Sequence, residues 1–453
     1  MANKPMKTVA IPPHLPKHLA ICYFGWDWIT SALPDEDYGD LDRVMRETKE
    51  RGFNCIRPDL GVGLMYDSAG KRRDRIEFGP WISGASENLQ CVNCRGGGAH
   101  DLYERVMRLL ELAEKYDLYV IGTTWLYQDF VCHVADERLR QEILTVPYAD
   151  RLMFLAKQWD LLLRDCEERG LAHRIAMVEL LNELSGTPVA VPADRAIPKP
   201  SVEDWLHQRW PRADWPATRG KSDEMLVFLQ QKHPRLLFTI DFGAVDHMTE
   251  LLPESAQVAD FHVYSEGLTQ AIARACGLPF FDASLVPNPA GNKILRSLLK
   301  DGPIPWEDFK RRASRVRDGW HPIAWLYANV DNARYDVWCV EHFAENRTGI
   351  ERTTEEPFRK AVDFASVRGL PMVVDEGYLC YPPLGSRLVM LPEGRYSEEF
   401  AVNIAIQRGV WGILTTGYFR PNTPLAWHDD SQCDWIAGLN RRILCDADTS
   451  VSP

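Results

Sequence analysis

Eight apolar stretches separated by helical periodicity predict a (β/α)8 barrel, an α/β fold, with long inserted loops after strands two, four and six. Three observations carry that expectation. The stretches at 19–25, 53–58, 118–125, 175–183, 236–241, 258–264, 370–378 and 410–416 are apolar almost throughout, as strands covered on both faces are. Most connections between them repeat apolar residues at three- and four-residue steps, the period of an amphipathic helix. Finally, the fourth and seventh stretches end in carboxylates, Glu183 and Glu376, and a barrel keeps its chemistry at the carboxyl ends of its strands. A doubly wound open sheet is the rival, but it wants a Gly-rich phosphate loop after strand one, and Tyr23-Phe24-Gly25-Trp26-Asp27 is not one.

Taken in order, the first strand leads through Trp26-Asp27-Trp28 into a helix over 39–51, which Gly52 ends. Strand two closes on Arg57 and Pro58. A polar, Gly-rich loop with little secondary structure is expected over 67–100. The helix at 101–116 sets Tyr103, Val106, Met107, Leu110 and Ala113 on one face, and strand three follows it. A helix over 147–169 precedes the Glu183 stretch, and the Pro- and Trp-rich segment 184–219 reads as a loop above a site. Helices at 221–232 and about 246–252 flank strand five and lead to strand six. The excursion 265–353 is too long for an ordinary connection and reads as an insertion or small subdomain inside a single barrel domain spanning 1–453. It carries helical patches at 294–299 and 306–316 and an aromatic core of Trp320, Trp325, Tyr327, Tyr335 and Trp338. Helices at 355–368, 397–408 and 432–444 complete the alternation.

The chain has 453 residues, 45% of them hydrophobic, enough for a large core. A formal charge of −12 leaves no basic footprint for nucleic acid or an anionic membrane. The N-terminus lacks the apolar core of a secretory signal, and no run reaches the length of a membrane span, so a cytoplasmic protein is expected. Cys22, Cys55 and Cys339 sit in apolar contexts and read as small core residues in a reducing compartment. Cys91-Val92-Asn93-Cys94, with Cys132-His133 as completing ligands, has the spacing of half a zinc site, but the second pair is missing. Two loop thiols are the simpler reading, and neither metal nor cofactor is expected.

Two carboxylates at one barrel mouth suit glycoside hydrolysis, in which one acid protonates the leaving oxygen and the other attacks or activates water. A single Glu at a strand end is ordinarily an ion-pair partner or a helix cap; a matched pair is harder to explain that way. Glu179 lies four residues deeper than Glu183, about 13 Å at strand rise, so it reads as a paired polar residue low in the barrel. Asp375 is expected on the face opposite Glu376, because side chains alternate along a strand. Arg57 is placed to keep one carboxylate ionised, while burial under aromatic rings raises the pKa of the other. His262 and Tyr264 end strand six beside Glu376, with the tyrosine hydroxyl able to orient a carboxylate. Trp26, Trp125, Tyr378, Tyr418 and Trp427 fall at or just past strand ends, where flat faces stack on sugar rings, and the chain carries 15 Trp in all.

These features resemble the clan A glycoside hydrolases, the cellulase-like retaining enzymes of glycoside hydrolase family five and its relatives. Leu181-Asn182-Glu183, Val373-Val374-Asp375-Glu376-Gly377, Arg57 and His262-Val263-Tyr264 carry the resemblance, which covers the barrel and leaves out the insertion. It implies that Glu183 is the acid/base, Glu376 the nucleophile, and Asn182 the residue bonding the sugar 2-hydroxyl, with Arg57 and Tyr264 holding Glu376. Three departures touch the pattern: Leu184 where many members have Pro, Thr123-Thr124-Trp125 without the expected His, and Thr415-Thr416-Gly417-Tyr418 without the usual Trp. The resulting expectation is a retaining β-glycosidase acting on an oligosaccharide or glycoside. The alternative is a catalytically inactive carbohydrate-binding protein on the same barrel. A metal-dependent barrel hydrolase is disfavoured, since strand one lacks a His-x-His pair.

Overall fold

Each apolar stretch becomes a strand of one parallel sheet: β1 (Leu19–Gly25), β2 (Cys55–Pro58), β3 (Tyr119–Gly122), β4 (Ile175–Glu179), β5 (Phe238–Thr239), β6 (Ala259–Tyr264), β7 (Met372–Tyr378) and β8 (Gly412–Thr416). These come from a computed structural model that describes residues 8–80, 96–128, 130–193, 204, 211–265, 267–280, 282–314, 316–378 and 381–445. The strands pair in the order β5-β4-β3-β2-β1-β8-β7-β6. Across the remaining gap, the His262 N–H donates to the Gly243 carbonyl at 2.9 Å and the Gln257 N–H to the Phe238 carbonyl at 3.0 Å. A parallel bridge between Ala244 and His262 marks the same seam. The result is the expected (β/α)8 barrel, its strands buried on both faces by the helices outside and the side chains within.

Several helices start where short polar side chains cap them. Asp40 accepts the Arg43 N–H at the start of Leu41–Glu50, and Asp101 accepts the Glu104 N–H at the start of Leu102–Lys115. Two helices begin earlier than the sequence pattern suggested. Trp215–Lys232 starts six residues upstream because Asp214 caps it and Pro216 occupies its first turn, where a missing N–H is harmless. Phe343–Arg368 runs through Pro357 and ends at Gly369, whose φ of +63° provides the left-handed stop.

The Gly-rich segment after β2 is also more ordered than expected. Ile76–Pro80 and Gly96–His100 form an antiparallel pair, in which Ile76 and Phe78 alternate onto a buried face. Cys91 and Cys94 lie outside the described residues, so their loop-thiol reading stands where the sequence left it. Cys22, Cys55 and Cys339 are buried free thiols, as expected. Among the described residues no helix is long and apolar enough to cross a membrane.

Residues 265–353 carry helices at Leu268–Ala275, Lys293–Leu298, Trp306–Arg312, His321–Asn329 and Asn332–Glu341 before the long helix begins. Trp325 is buried and donates its indole N–H to the Ile304 carbonyl at 2.7 Å, while Tyr335 meets Tyr327 edge to face at 6.4 Å. The Tyr327 hydroxyl donates to the Tyr381 carbonyl, which ties the excursion to the segment leaving β7.

Candidate active site

Arg57 organises the mouth of the barrel. Its side chain is fully buried at the end of β2, and its planar fork reaches three carboxylates: Nε lies 2.7 Å from Asp375 Oδ2, Nη1 2.9 Å from Glu376 Oε2, and Nη2 2.8 Å from Glu179 Oε2. Nη2 also donates to Asn182 Oδ1 at 2.6 Å. Its guanidinium stacks 4.7 Å from the Trp125 ring, which meets Tyr23 edge on. Glu179 is the paired polar residue expected below the mouth, and it also accepts the Thr123 hydroxyl at 2.8 Å. Because one guanidinium bonds both, it belongs to the same network as Glu376.

Asp375 is not turned away from Glu376. Phe261 pairs with Val374, but the next residue, His262, pairs with Glu376, so Asp375 is an extra residue in the β7 ladder. Such a bulge lets consecutive side chains share a face, and both acids point at Arg57.

Glu183 stands past the end of β4 in left-handed backbone, φ +45° and ψ +57°, a conformation costing a non-glycine residue about 1–2 kcal/mol. Three groups hold its carboxylate and backbone. Gln128 donates its amide N–H to Oε2 at 2.7 Å, His262 Nδ1 lies 3.0 Å from Oε1, and the Glu183 N–H donates to Asp241 Oδ2 at 2.8 Å. Glu376 in turn accepts the Tyr264 hydroxyl and, at 3.1 Å, the Tyr381 hydroxyl on Oε1. A carboxylate oxygen of Glu183, one of Glu376 and a ring nitrogen of His262 lie within 4.8 Å of one another.

The electrostatics correct one expectation. Burial alone pushes the Glu183 carboxyl up, but the His262 hydrogen bond and charge, the Gln128 amide and the Arg317 charge outweigh it and hold the group below its ordinary value. His262 runs the other way: despite burial, Asp241, Glu376, Asp375 and Glu183 raise its pKa well above the imidazole norm. Both shifts run in the direction that favours an imidazolium against a carboxylate. Deeper down, burial raises Glu179 and Asp260 well above the usual carboxylate range, whereas the Arg57 charge and the His262 hydrogen bond overcome burial and lower Asp375. Oxygens of Glu179, Asp260 and Asp375 lie within 4.8 Å of one another. The trio has the spacing to share a cation, but Arg57 already supplies a charge to two of its members.

The sequence-predicted residues divide into three sets. Glu183, Glu376, Asn182, Arg57, His262 and Tyr264 meet in one network, with Trp125 against it. Trp26 stacks on His133 at 5.2 Å, and Tyr418 is buried just past β8. Tyr378 and Trp427 are not brought to the cluster. Beyond the bulge, Tyr378 packs against Phe358 of the outer helix at 6.3 Å. Trp427 lies over the helix after β1, donating to Glu47 Oε2 at 2.8 Å with the Arg51 guanidinium 4.1 Å from its ring. Gln128, Tyr381 and Arg317 went unpredicted because they stand on loops and in the excursion, with no pattern to mark them. Asp241 did leave a signal: like Glu183 and Glu376, it ends an apolar stretch.

The family model described as sugar-binding cellulase-like matches residues 21–274. A crystal structure from Parabacteroides distasonis ATCC 8503, described as a glycoside hydrolase by assignment, aligns at a TM-score of 0.62 and 16% identity over 94% of each chain. A family 5 xyloglucanase from Paenibacillus pabuli aligns at 0.46 and 11% identity over 94% of this chain and 99% of its own. No curated protein sequence matches significantly.

Proposed function

Because the chain belongs to the sugar-binding cellulase-like family, whose fold is that of the glycoside hydrolases, we propose that it is a retaining β-glycosidase acting on an oligosaccharide or glycoside. One observation carries the reading: carboxylate oxygens of Glu183 and Glu376 lie within 4.8 Å. Double displacement needs carboxyl groups about 5–5.5 Å apart, whereas direct displacement by water needs about 6.5–9.5 Å.

In this mechanism Glu376 attacks the anomeric carbon. Arg57 and the two tyrosine hydroxyls fix its oxygens, so its approach is set before substrate arrives. Glu183 protonates the departing glycosidic oxygen. Since Glu183 rests as the carboxylate, the proton it delivers comes from His262 Nδ1, along the 3.0 Å hydrogen bond between them. In the second half Glu183 takes a proton from water, the resulting hydroxide releases the sugar from Glu376, and the proton returns to His262. Asn182, held by Arg57 and by Gln128 at 2.6 Å, is assigned the sugar 2-hydroxyl. Trp26, Trp125 and Tyr418 are assigned to stacking on sugar rings.

A panel of aryl β-glycosides of glucose, galactose, mannose and xylose tests the reading, with the first-formed anomer followed by proton NMR. Release of the β-anomer by the wild type and loss of turnover in Glu376→Ala are expected. An α-anomer formed first, or a fully active Glu376→Ala, overturns the assignment. A second reading, oligosaccharide binding without turnover, is favoured by the resting ionisation of Glu183. Saturable binding by calorimetry with no hydrolysis from pH 4 to 9 would establish it.

A further inference from the structure

We propose that Asp241, just past β5, is a positioning residue for Glu183: it clamps that residue's left-handed backbone and, through His262, fixes the proton inventory beside the Glu183 carboxylate. The inference rests on the hydrolase reading for its kinetic consequence, but its structural half stands apart from turnover.

The geometry is that of a two-sided clamp. Oδ2 of Asp241 accepts the Glu183 N–H at 2.8 Å and lies 3.2 Å from His262 Nε2, while Oδ1 accepts the Gly243 N–H at 2.8 Å. The turn so formed reaches both members of the Glu183–His262 pair a second time. The Gly243 carbonyl accepts the His262 N–H at 2.9 Å, and a Cβ at Gly243, where φ is +74°, would stand 3.2 Å from Glu183 Cγ. Ser185, two residues past Glu183, donates its hydroxyl to the Phe242 carbonyl at 2.6 Å. One short turn thus sets where Glu183 stands, where its imidazole partner stands, and what charge faces that imidazole.

The charge matters because His262 is surrounded. Glu183 faces Nδ1. Around Nε2 lie Asp241 at 3.2 Å, Asp375 at 3.4 Å, Arg57 Nη2 at 3.5 Å and Glu376 at 3.8 Å, with the Tyr264 ring edge on. Asp375 and Glu376 are both claimed by Arg57, which leaves Asp241 as the nearest carboxylate at Nε2 with no guanidinium bonded to it among the described residues. Burial raises its pKa to about 6, so it is ionised at neutral pH. Removing that negative charge lowers the affinity of the whole pair for its proton, and the pair titrates as a unit.

The test compares Asp241→Asn with Gly243→Ala, which disturbs the turn without changing charge. In the intact wild-type protein, 15N NMR of the histidine rings should show His262 as an imidazolium from pH 5 to 8. In Asp241→Asn it should begin to titrate inside that window, a drop of about one to three pH units, while in Gly243→Ala it should not. On a hydrolysed aryl glycoside, Asp241→Asn should move the basic limb of kcat/KM to lower pH as well as lowering kcat about 100-fold; Gly243→Ala should lower kcat and leave the limb in place. A wild-type His262 that titrates between pH 5 and 8 overturns the proposal even if Asp241→Asn does not fold. So does an unmoved limb in a folded Asp241→Asn. If no glycoside is turned over, the hydrolase reading fails while the NMR comparison still decides the role of Asp241.

Discussion

Replacing Arg57 by Met should expose how much of the barrel's interior depends on one guanidinium. The substitution keeps an unbranched apolar stem but leaves Glu179, Asp375 and Glu376 without the group bonded at 2.7 to 2.9 Å. Breaking a buried ion pair from one side costs about 3–5 kcal/mol, because the partner charge stays in place. With an unfolding entropy of about 2.1 cal/mol/K per residue, a chain of 453 residues carries about 1 kcal/mol/K, so Tm should fall by about 3–5 °C. Calorimetry at pH 7 reads this directly. The pH dependence has a definite sign: Arg57 helps hold Asp375 below its ordinary value, so its contribution is present above the unfolded aspartate pKa of about 3.9 and is lost only in stronger acid. The gap between wild type and variant should therefore persist down to about pH 4 and close below it. Arg57→Lys keeps the charge without the fork and should fall between the two. A Met variant within 1 °C of wild type at pH 7 would refute the reasoning.

Three further outcomes follow from the same geometry. Gly243→Ala should destabilise the fold by about 1–2 kcal/mol, since alanine disfavours a φ of +74°, and equilibrium urea unfolding would show it. Asp260 is buried with no hydrogen-bond partner on either oxygen among the described residues and a pKa raised well above normal; its favourable contribution is complete below the unfolded pKa and fades as pH rises. Asp260→Asn, which has no such linkage, should gain Tm relative to wild type between pH 5 and 9, and a difference constant with pH would contradict this. Tyr264→Phe removes one hydroxyl from Glu376 and should lower kcat about 100-fold with the fold intact by circular dichroism, whereas unchanged kcat would remove Tyr264 from the site.

How much of this was legible in the sequence depended on whether a signal was local. Eight strands could be read because burial on both faces leaves an unbroken apolar run. Arg57, Glu183 and Glu376 could be read because a charge at the end of such a run is out of place. Asp375 was misassigned because strict alternation has no way to announce a bulge; only the pairing of His262 with Glu376 reveals it. The resting ionisation of Glu183 was misjudged for a related reason. Its depth was visible, but the imidazole that outweighs burial arrives from a strand almost eighty residues away. Tyr378 and Trp427 were named for standing at strand ends, yet position along the chain says nothing about which side of the barrel wall a ring takes.

The seam between β5 and β6 is where the sheet is least zipped. β5 is only Phe238–Thr239, and the closure relies on backbone bonds at Gly243 and Gln257 rather than on a continuous ladder. Local opening draws on the regions with fewest cooperative bonds, so amide exchange at His262 and Gln257 should outpace that along β1 and β2. The proton pair hangs from that same seam. Thermal breathing of the wall would then lengthen the His262–Glu183 separation before it disturbs Arg57 or Glu376, so under the proposed double displacement a warming protein would lose proton delivery sooner than nucleophilic attack.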